Sequence, residues 1–379
     1  SEQLRVAFFT FNTEAQIFCC SCTKAESCGL GRKFLKFSRE DCLISDFVAN
    51  YLEHIIIQNN YALPDLFIIG LQESSIRNPK KGFKSDQLIY AFENCLKEIG
   101  RIPSISKLHT EHQIDNYGDT YAMVHEKLYG IGAEGIRGLR LGLLANTKFI
   151  TDYRFYYYRP LFESTLSSRE GQQFGKGAIF LEAKIRKDKR NYHIHVINTH
   201  LPFLEKEKDQ GKFIRDATIS QTIEAFDQKV GSESSFANKF IIGDLNYRID
   251  FGKNKELENQ YLQRISEQSL TIKDLNIIKS YDQLTKFIRT ETYLAGYHEG
   301  INNGGPNFLP TCKLSKTCPV SERTYQTIKK GSKRVPSWCD RILYNGHIEC
   351  LLYENFDNGT TCKSDHIPVI GLFAVAPTI

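Results

Sequence analysis

Polar residues that could bind a metal ion or transfer a proton stand at the ends of short apolar segments of this chain. They are Asn12, Glu73, His200, Asp244, Asn246, Asp340 and His366. Carboxylate and amide oxygens, such as those of Glu73 and Asn12, are ligands that Mg2+ prefers, together with retained waters. Taken singly, Glu73 is more often a solvated carboxylate and Asn12 a turn residue, so a metal site requires neighbouring strands to bring them together.

Asp244 and Asn246 are spaced so that they face the same side of an extended chain. A carboxylate in that position can take a proton from an attacking water, and an amide beside it can donate to a phosphoryl group. A lone Asp-x-Asn is common in turns, and by itself this pair favours a turn.

Two histidines and one aspartate complete the set. A lone His is more often a packed or exposed residue than a catalyst, and this applies to His200 and His366 when each is taken alone. An Asp bonded to a His on the next strand would fix its tautomer and favour the imidazolium. Asp340 is the candidate partner of His366, although the sequence alone does not bring the two together.

The polar residues must be positioned by the elements that precede them. Short apolar runs that end in polar residues predict buried strands at 4–11, 66–71, 193–198 and 239–242. Apolar residues at helical spacing predict helices at 41–58, 85–99, 214–226 and 257–266. Strands interleaved with helices indicate a layered domain of both types. The Gly- and Asn-rich loop 295–317 is long, and we expect it to be functional.

A Gly-x-Gly-x-x-Gly pattern at 130–135 has the spacing of a dinucleotide-binding turn. Such a site needs a helix that begins at the turn. The segment that follows, 136–144, contains Gly138 and Gly142 and reads as a strand. A flexible hairpin is therefore favoured over a cofactor site.

Two longer segments carry a family resemblance. Residues 240–248 (FIIGDLNYR) and 334–343 (RVPSWCDRIL, with the only Trp) resemble the two signature motifs of the inositol polyphosphate 5-phosphatases. Asn12, Leu71-Gln72-Glu73, Asn198-Thr199-His200-Leu201 and Ser364-Asp365-His366 follow in the family's order, so the resemblance covers nearly the whole chain.

The resemblance implies a fold and a domain organisation. The family belongs to the DNase I-like superfamily of nucleases and phosphatases. We therefore expect an α+β, DNase I-like four-layer sandwich, in which two mixed β-sheets pack face to face with helices outside. Residues 1–379 would form a single catalytic domain with an atypical Cys-containing insertion at 19–36.

The resemblance also implies roles for individual residues. Glu73, helped by Asn12, would bind Mg2+; Asp244 would activate the attacking water and Asn246 would position it. His200 and His366 would contact phosphoryl oxygens, with Asp340 orienting His366. Substrate binding is implied for a basic and polar set that comprises Lys176, Asn198, Lys313, Lys333, Arg334 and Arg341.

Some positions depart from the family pattern. Cys312-Lys313-Leu314 stands where Tyr-Lys-Tyr is usual, Gly175 replaces a common Asn, and Thr13-Glu14 follows Asn12 in place of a small apolar residue and Asn or Gly. The implied catalytic set is intact, so these departures concern specificity more than chemistry.

The amino-acid composition excludes several other classes of protein. The 379 residues are 41% hydrophobic and include 25 Phe and 19 Tyr, which excludes a disordered chain. The densest apolar run, 66–71, is too short to span a membrane. The net charge of +5 is mild. The 11 Cys are an odd number and indicate free thiols in a reducing compartment. The cluster Cys19, Cys20, Cys22 and Cys28 has only one C-x2-C spacing and fits zinc poorly.

The leading hypothesis is a Mg2+-dependent phosphatase that removes the 5-phosphate of phosphoinositides or soluble inositol polyphosphates. One alternative is a superfamily nuclease or sphingomyelinase-like phosphodiesterase, and another is an inactive phosphoinositide-binding module. We expect a cytoplasmic monomer that binds no nucleic acid and associates peripherally with membranes. The candidate segments for lipid contact are the aromatic stretch 153–162 and the loop 300–310. The aromatic stretch is more often a buried strand with one solvent-exposed face.

Overall fold

The structure is a computed structural model. It describes residues 3–14, 39–74, 85–112, 121–129, 138–159, 176–203, 208–290, 292–316, 323–329, 331–357 and 364–378. The Cys cluster at 19–28 and the glycine motif at 130–135 lie outside the described residues, as do residues 160–162 of the aromatic segment.

Two six-stranded sheets form the centre of the molecule. Sheet A contains, from edge to edge, β13 (Ile348–Asn355), β14 (Val369–Val375), β1 (Leu4–Asn12), β2 (Leu66–Ser74), β4 (Gly138–Asn146) and β3 (Tyr121–Tyr129). Sheet B contains β5 (Ile150–Tyr158), β6 (Gly177–Lys187), β7 (Arg190–His200), β8 (Asn238–Asp244), β12 (Asp340–Asn345) and β9 (His298–Glu299). The pairs β1–β2 and β7–β8 are parallel and the other pairs are antiparallel, so both sheets are mixed.

Seven α-helices occur in the described part of the chain. They are α1 (Arg39–Gln58), α2 (Ser85–Lys97), α3 (Pro103–His112), α4 (Lys208–Val230), α5 (Lys255–Ser266), α6 (Ile272–Lys279) and α7 (Gln283–Thr290). A short hairpin of β10 (Ile328–Lys329) and β11 (Ser332–Lys333) lies apart from both sheets. Within the described residues, no helix is long and apolar enough to cross a bilayer.

The alternation of side chains along the strands explains the layers. On β1, Phe8 points into a core between the two sheets that includes Leu181 and Val196 of sheet B. The next residue, Phe9, points to the opposite face of sheet A and packs in a second core with residues of α1 and α2, such as Phe47. A third core lies between sheet B and a helical layer that includes α4 and α7. The expected four-layer α+β sandwich is confirmed.

A missing side chain allows the two sheets to approach closely beneath the site. A Cβ atom on Gly70 of β2 would lie 2.6 Å from Cδ1 of Ile242 and 2.9 Å from Oδ1 of Asn198. Real Cβ atoms essentially never approach this closely, so a side chain at Gly70 would force Ile242 and Asn198 to shift.

The predicted elements are present, with shifted ends. The strand predicted at 193–198 extends over Arg190–His200, and the helix predicted at 214–226 extends over Lys208–Val230. The segment after the glycine motif is the predicted strand, β4, and begins at Gly138. The aromatic segment forms β5 at the edge of sheet B, where Tyr153 and Tyr157 are exposed.

Candidate active site

Strand register in sheet B aligns three of the predicted site residues. His200 at the end of β7 pairs with Asp244 at the end of β8. Asp244 in turn pairs with Asp340 at the start of β12. The three side chains therefore leave the sheet at one level, and Nε2 of His200 lies 3.2 Å from Oδ2 of Asp244.

Backbone conformation explains the glycine before Asp244 and the asparagine two residues after it. Gly243 has φ +133°, and a Cβ atom there would lie 1.9 Å from the carbonyl oxygen of Thr199 on the neighbouring strand. Asn246 has φ +54°, a left-handed conformation that Asn tolerates better than most residues. The chain therefore curls back after β8, and the amide N–H of Asn246 donates to Oδ1 of Asp244 at 3.0 Å. The predicted juxtaposition of Asp244 and Asn246 holds, although it arises from this turn and not from extended chain.

Sheet A brings Asn12 and Glu73 to the same place. β1 and β2 run parallel with Asn12 opposite Gln72, so their carboxyl ends meet at one edge of the sheet. The Asn12 amide donates from Nδ2 to Oδ2 of Asp244 at 2.8 Å and thereby links the two sheets. The charge of Glu73 contributes to the pKa of both Lys176 and His200, so it lies near these groups.

His366 and Asp340 meet as a hydrogen-bonded pair. Nδ1 of His366 lies 2.7 Å from Oδ2 of Asp340, and both side chains are buried. The Thr311 hydroxyl donates to the same carboxylate oxygen at 2.7 Å. This contact leaves Nε2 of His366 directed to the site, 3.9 Å from Oδ2 of Asp244. The structure thus supplies the contact that the sequence left open.

The segment that carries His366 is fixed from both sides. The Ser364 hydroxyl donates to the carbonyl oxygen of Asn12 at 2.6 Å and accepts from the His366 amide at 3.1 Å. The Arg323 guanidinium donates to the carbonyl oxygens of Ser364 and His366. Arg323 was not predicted, because nothing in the sequence near 323 relates it to residues 364–366.

The carboxylate of Asp244 is held ionised. Burial alone would raise its pKa, but the hydrogen-bonding contact of His200 and the positive charges of His366 and Lys176 outweigh burial and hold the pKa well below the usual range. For His366, burial disfavours the charged imidazole, yet Asp340 and Asp244 raise its pKa well above the ordinary value. We therefore assign the proton of the Asp340–His366 pair to the imidazole.

The second histidine is in the opposite state. Burial and the neighbouring Lys176 lower the pKa of His200, so its ring is neutral near pH 7. Nζ of Lys176 contacts Nε2 of His200. Burial lowers the pKa of Lys176 to about 8, and the negative charges of Asp244 and Glu73 limit the drop. The site therefore presents one imidazolium, one neutral imidazole and one amine that titrates just above neutrality.

Two further cations stand beside this set. The Lys313 ammonium pairs with Oδ2 of Asp365 at 2.6 Å. The Arg248 guanidinium donates to Oδ1 of Asn246 at 2.8 Å and lies 4.3 Å from the ring centre of Phe203. The charge of Arg248 disfavours the charged form of both Lys176 and Lys313, so the three cations lie near one another. Burial also disfavours charged Lys313, but Cys312 and Asp365 outweigh both effects and raise its pKa. Arg248 was missed as a site residue, although the first signature segment contains it.

The structure corrects the predicted substrate-binding set at two positions, Asn198 and Arg341. Asn198 is fully buried between the sheets, where Nδ2 donates to the carbonyl oxygens of Arg140 and Leu71, and Oδ1 accepts from Gln72. It therefore cross-links the sheets and has no exposed surface for a ligand.

Arg341 is also fully buried. Its guanidinium donates to Asp282 at 3.1 Å, to Glu299 at 2.5 and 2.6 Å, and to the carbonyl oxygen of Trp338. Because every donor is used, Arg341 stabilises the core, and the structure leaves no donor of Arg341 available for a substrate. Glu299 comes from the loop 295–317, so part of that loop is structural.

The remaining basic residues lie at the β10–β11 hairpin. Lys333 is exposed, and its amine donates to Oδ1 of Asn259 on α5 at 2.6 Å. Arg334 follows β11 and is half-buried. Substrate binding by Lys333 and Arg334 stays a prediction.

The residues at the ends of β1 and β2 have the donor types of a divalent-cation site. One carboxylate and one amide oxygen, from Glu73 and Asn12, match the few protein ligands that Mg2+ takes beside its waters. The orientation of the Asn12 amide is fixed, since Nδ2 donates to Asp244 and Oδ1 accepts from the Glu14 amide at 3.1 Å. Asp244, Asp340 and His366 also group closely. A protonated imidazole cannot ligate a cation, however, so this group fits a metal less well.

Comparison with known proteins defines the family. Residues 41–372 match the family described as Endonuclease/Exonuclease/phosphatase family 2. The chain belongs to this family. The fold of this family 2 chain is similar to that of the inositol polyphosphate 5-phosphatase domain of a synaptojanin, solved with inositol (1,4)-bisphosphate and calcium ion. The TM-score is 0.58 at 18% identity, over 98% of this chain and 84% of that one.

Curated relatives of this family 2 chain include two 5-phosphatases. Type IV inositol polyphosphate 5-phosphatase 9 of Arabidopsis thaliana is 29% identical over 191 residues, 48% of this chain and 41% of that protein. Phosphatidylinositol 3,4,5-trisphosphate 5-phosphatase 1 of Xenopus laevis is 35% identical over 150 residues, 38% of this chain and 13% of that protein. The matches span less than half the length of each relative, and they confirm the resemblance carried by the signature segments.

Proposed function

We propose that this family 2 chain is a phosphomonoesterase that removes the 5-phosphate of phosphoinositides or soluble inositol polyphosphates. One observation carries the proposal. Asp244 is a buried carboxylate, held ionised, between the imidazoles of His200 and His366 and beside Lys176. The similarity to two 5-phosphatases supports an inositol headgroup as the substrate.

Asp244 is the proposed acceptor of the proton from an attacking water. A carboxylate whose pKa lies far below neutrality is a weak base. A phosphate group bound beside His200, His366 and Lys176 adds negative charge next to Asp244, which raises the pKa of that carboxyl. Substrate binding therefore strengthens the base when it is needed. The Asn246 amide, fixed by Arg248 and by donation to the Leu201 carbonyl oxygen, positions the water for in-line attack.

The cations of the site stabilise the charge that develops on the phosphoryl oxygens. The His366 imidazolium donates from Nε2, and Lys176 supplies a second positive charge. The residues that would hold Mg2+ are Glu73 and Asn12, and the ion would supply a Lewis acid for phosphate oxygens. Lys313, placed by Asp365 next to His366, is the proposed contact for another phosphate of the inositol ring.

Phosphate release across a panel of substrates tests this function. The panel contains lipid and soluble inositol phosphates with and without a 5-phosphate, each with Mg2+ or with EDTA, and abasic DNA as a phosphodiester. We expect inorganic phosphate only from 5-phosphorylated compounds and only with the metal. Cleaved DNA without free phosphate would instead identify a phosphodiesterase, and binding without turnover in every arm would identify a non-catalytic module.

We infer in addition that the protein acts in the cytoplasm as a monomer and associates with membranes peripherally. Two exposed apolar groups support the membrane association alone: Tyr153 and Tyr157 on β5, and Ile301 and Leu309 in the 300–310 loop. Co-sedimentation with vesicles that contain phosphatidylinositol 4,5-bisphosphate tests each group. Replacing the contacting pair with serine should reduce the bound fraction several-fold, whereas the other pair should have no effect. Unchanged binding in both double variants would show that neither segment contacts lipid.

A further inference from the structure

Glu14 stands where the chain leaves β1 and joins three parts of the site. Its amide N–H donates to Oδ1 of Asn12 at 3.1 Å. Its carboxylate oxygen Oε2 accepts from the amide of Asp365 at 3.0 Å and pairs with the Lys316 ammonium at 2.6 Å. One carboxylate oxygen therefore contacts both the segment that carries His366 and the half-exposed Lys316, and we call the exposed edge formed by Lys313 and Lys316 the rim.

The backbone conformation at Glu14 fixes the position of its carboxylate next to Asp365. Its φ is +47°, a left-handed conformation that disfavours a side chain such as glutamate. The conformation is maintained by contacts on both sides, because Thr13 bonds to the Gln72 carbonyl oxygen and Glu14 bonds to Asp365. The result is a carboxylate held in a fixed place among the cations of the site.

Each rim lysine is matched by one carboxylate. Lys313 pairs with Asp365, and Lys316 pairs with Glu14. The two pairs differ in access to solvent, since the Lys313 side chain is 25% exposed and that of Lys316 is 49% exposed. Lys316 can therefore reorient toward a ligand at little cost in desolvation energy. Its pairing with Glu14 weakens the attraction between its ammonium group and that ligand.

We propose that Glu14 is a specificity-determining residue that limits the number of phosphates the site accepts. By pairing with Lys316 and placing a negative charge at the rim, it disfavours an additional ring phosphate there. The inference rests on the proposed function, because it assigns to that same site a preference for less phosphorylated inositol headgroups. Lys313, Lys176 and Arg248 are left to bind the phosphates common to all such substrates.

Removing the charge of Glu14 while keeping its shape tests the proposal. In Glu14→Gln the amide oxygen can still accept from Asp365, but the ion pair with Lys316 is lost. We measure kcat/KM for inositol 1,4,5-trisphosphate and inositol 1,3,4,5-tetrakisphosphate and compare their ratio. The ratio of tetrakisphosphate to trisphosphate should rise about three- to tenfold in Glu14→Gln, because Lys316 becomes free to bind the added phosphate.

Two further variants distinguish this effect from a structural one. In Glu14→Gln/Lys316→Met the ratio should fall back toward the wild-type value, since the freed cation is gone. Glu98→Gln, which removes an exposed ion pair with Arg101 away from the site, should leave the ratio unchanged. An equal loss of kcat for both substrates in Glu14→Gln, with an unchanged ratio, would overturn the proposal and show that Glu14 only holds the 364–366 segment.

Binding measurements separate this proposal from the proposed function. Calorimetric affinities for the same two ligands in an Asp244→Asn background give the ratio without turnover. If the wild-type protein releases no phosphate, the proposed function fails, but a three- to tenfold change in the affinity ratio on adding Glu14→Gln still supports the role of Glu14. An unchanged affinity ratio, or no binding of either ligand, overturns it.

Discussion

Two adjacent residues of the second signature segment, Asp340 and Arg341, belong to different regions of the molecule. Asp340 faces the candidate site and bonds to His366 at 2.7 Å. Arg341 points to the other side of β12, where Asp282 and Glu299 surround its guanidinium. Successive side chains of a strand alternate between faces, so neighbours in a motif serve separate purposes. A motif therefore identifies important residues, and the strand geometry assigns each to chemistry or to stability.

The two regions also differ in how their charges are balanced. Around Arg341, each donor has a carboxylate or carbonyl partner within the core. In the site, Oδ1 of Asp340 and Nδ1 of His200 are buried without a hydrogen-bond partner among the described residues. Lys176, Lys313 and Arg248 meanwhile repel one another. Charges that are held near each other at an energetic cost are typical of a site that gains a ligand.

The largest expected effect is a loss of turnover when Asp340, the residue that faces the site, is replaced. Asp340→Asn should lower kcat about 10³-fold, because His366 loses the carboxylate that raises its pKa and fixes its tautomer. The free energy of unfolding should fall by only about 1–2 kcal/mol, because the imidazole can stay buried in its neutral form. Steady-state kinetics and urea denaturation measure the two quantities. A kcat within tenfold of wild type would remove Asp340 from the catalytic set.

The stability difference should also depend on pH. The pKa of His366 is raised in the folded protein, so its pairing with Asp340 stabilises fully below its unfolded pKa of about 6.5. That stabilisation is lost as the pH rises through the folded pKa. The gap between wild type and Asp340→Asn should therefore be widest in mildly acidic solution.

The opposite pattern is expected one residue further along. Arg341→Met removes a buried cation and leaves Asp282 and Glu299 facing each other without it. The free energy of unfolding should drop by about 3–5 kcal/mol. The kcat of the folded fraction should change less than about threefold, since no ligand contact is lost. A large loss of kcat at unchanged stability would return Arg341 to the substrate-binding set and break the comparison.

These residues show how far the sequence alone reaches. The family resemblance implied the fold and a shared role for His200, Asp244 and His366. In the structure, His200 and Asp244 meet because the parallel strands β7 and β8 end at one edge of sheet B, and His366 joins them from the segment before β14, which is antiparallel to β1. The signature segments did not separate Arg341 from the ligand contacts, since a motif carries no information about which side a residue faces.

Asn198 and Arg323 were beyond sequence reasoning for a related reason. Asn198 precedes His200 by two residues, yet it is buried between the sheets, with partners on β2 and β4. Arg323 contacts residues more than forty positions away, at Ser364 and His366. Long-range contacts of this kind depend on how the layers stack, which local patterns do not encode.

A smaller effect is expected on metal affinity, which should change only when residues of the site are replaced. Glu73→Gln should weaken Mg2+ binding about 10- to 100-fold, because the amide removes the one carboxylate of the proposed ligand pair. Calorimetric titration with Mg2+ measures this directly, and Glu98→Gln serves as the control for loss of an acidic side chain elsewhere. Equal affinity in wild type and Glu73→Gln would place the ion on other ligands.

The smallest effect is a shift in a pH profile. Lys176 has a pKa of about 8, so kcat/KM should decline above that pH as the ammonium loses its proton and the site loses a positive charge. In Lys176→Arg the guanidinium stays protonated above pH 12, and the decline near pH 8 should disappear. A decline that persists at the same pH in the variant would belong to another group.

The central claim is that the site around Asp244 removes one particular phosphate. Phosphorus NMR of inositol 1,4,5-trisphosphate, incubated with the protein and Mg2+, tests it most directly. We predict that only the 5-phosphate signal disappears, with an equal gain of inorganic phosphate, and that Asp244→Ala binds the same ligand but leaves the spectrum unchanged. Loss of a different phosphate signal, or the same turnover in Asp244→Ala, would contradict the assignment.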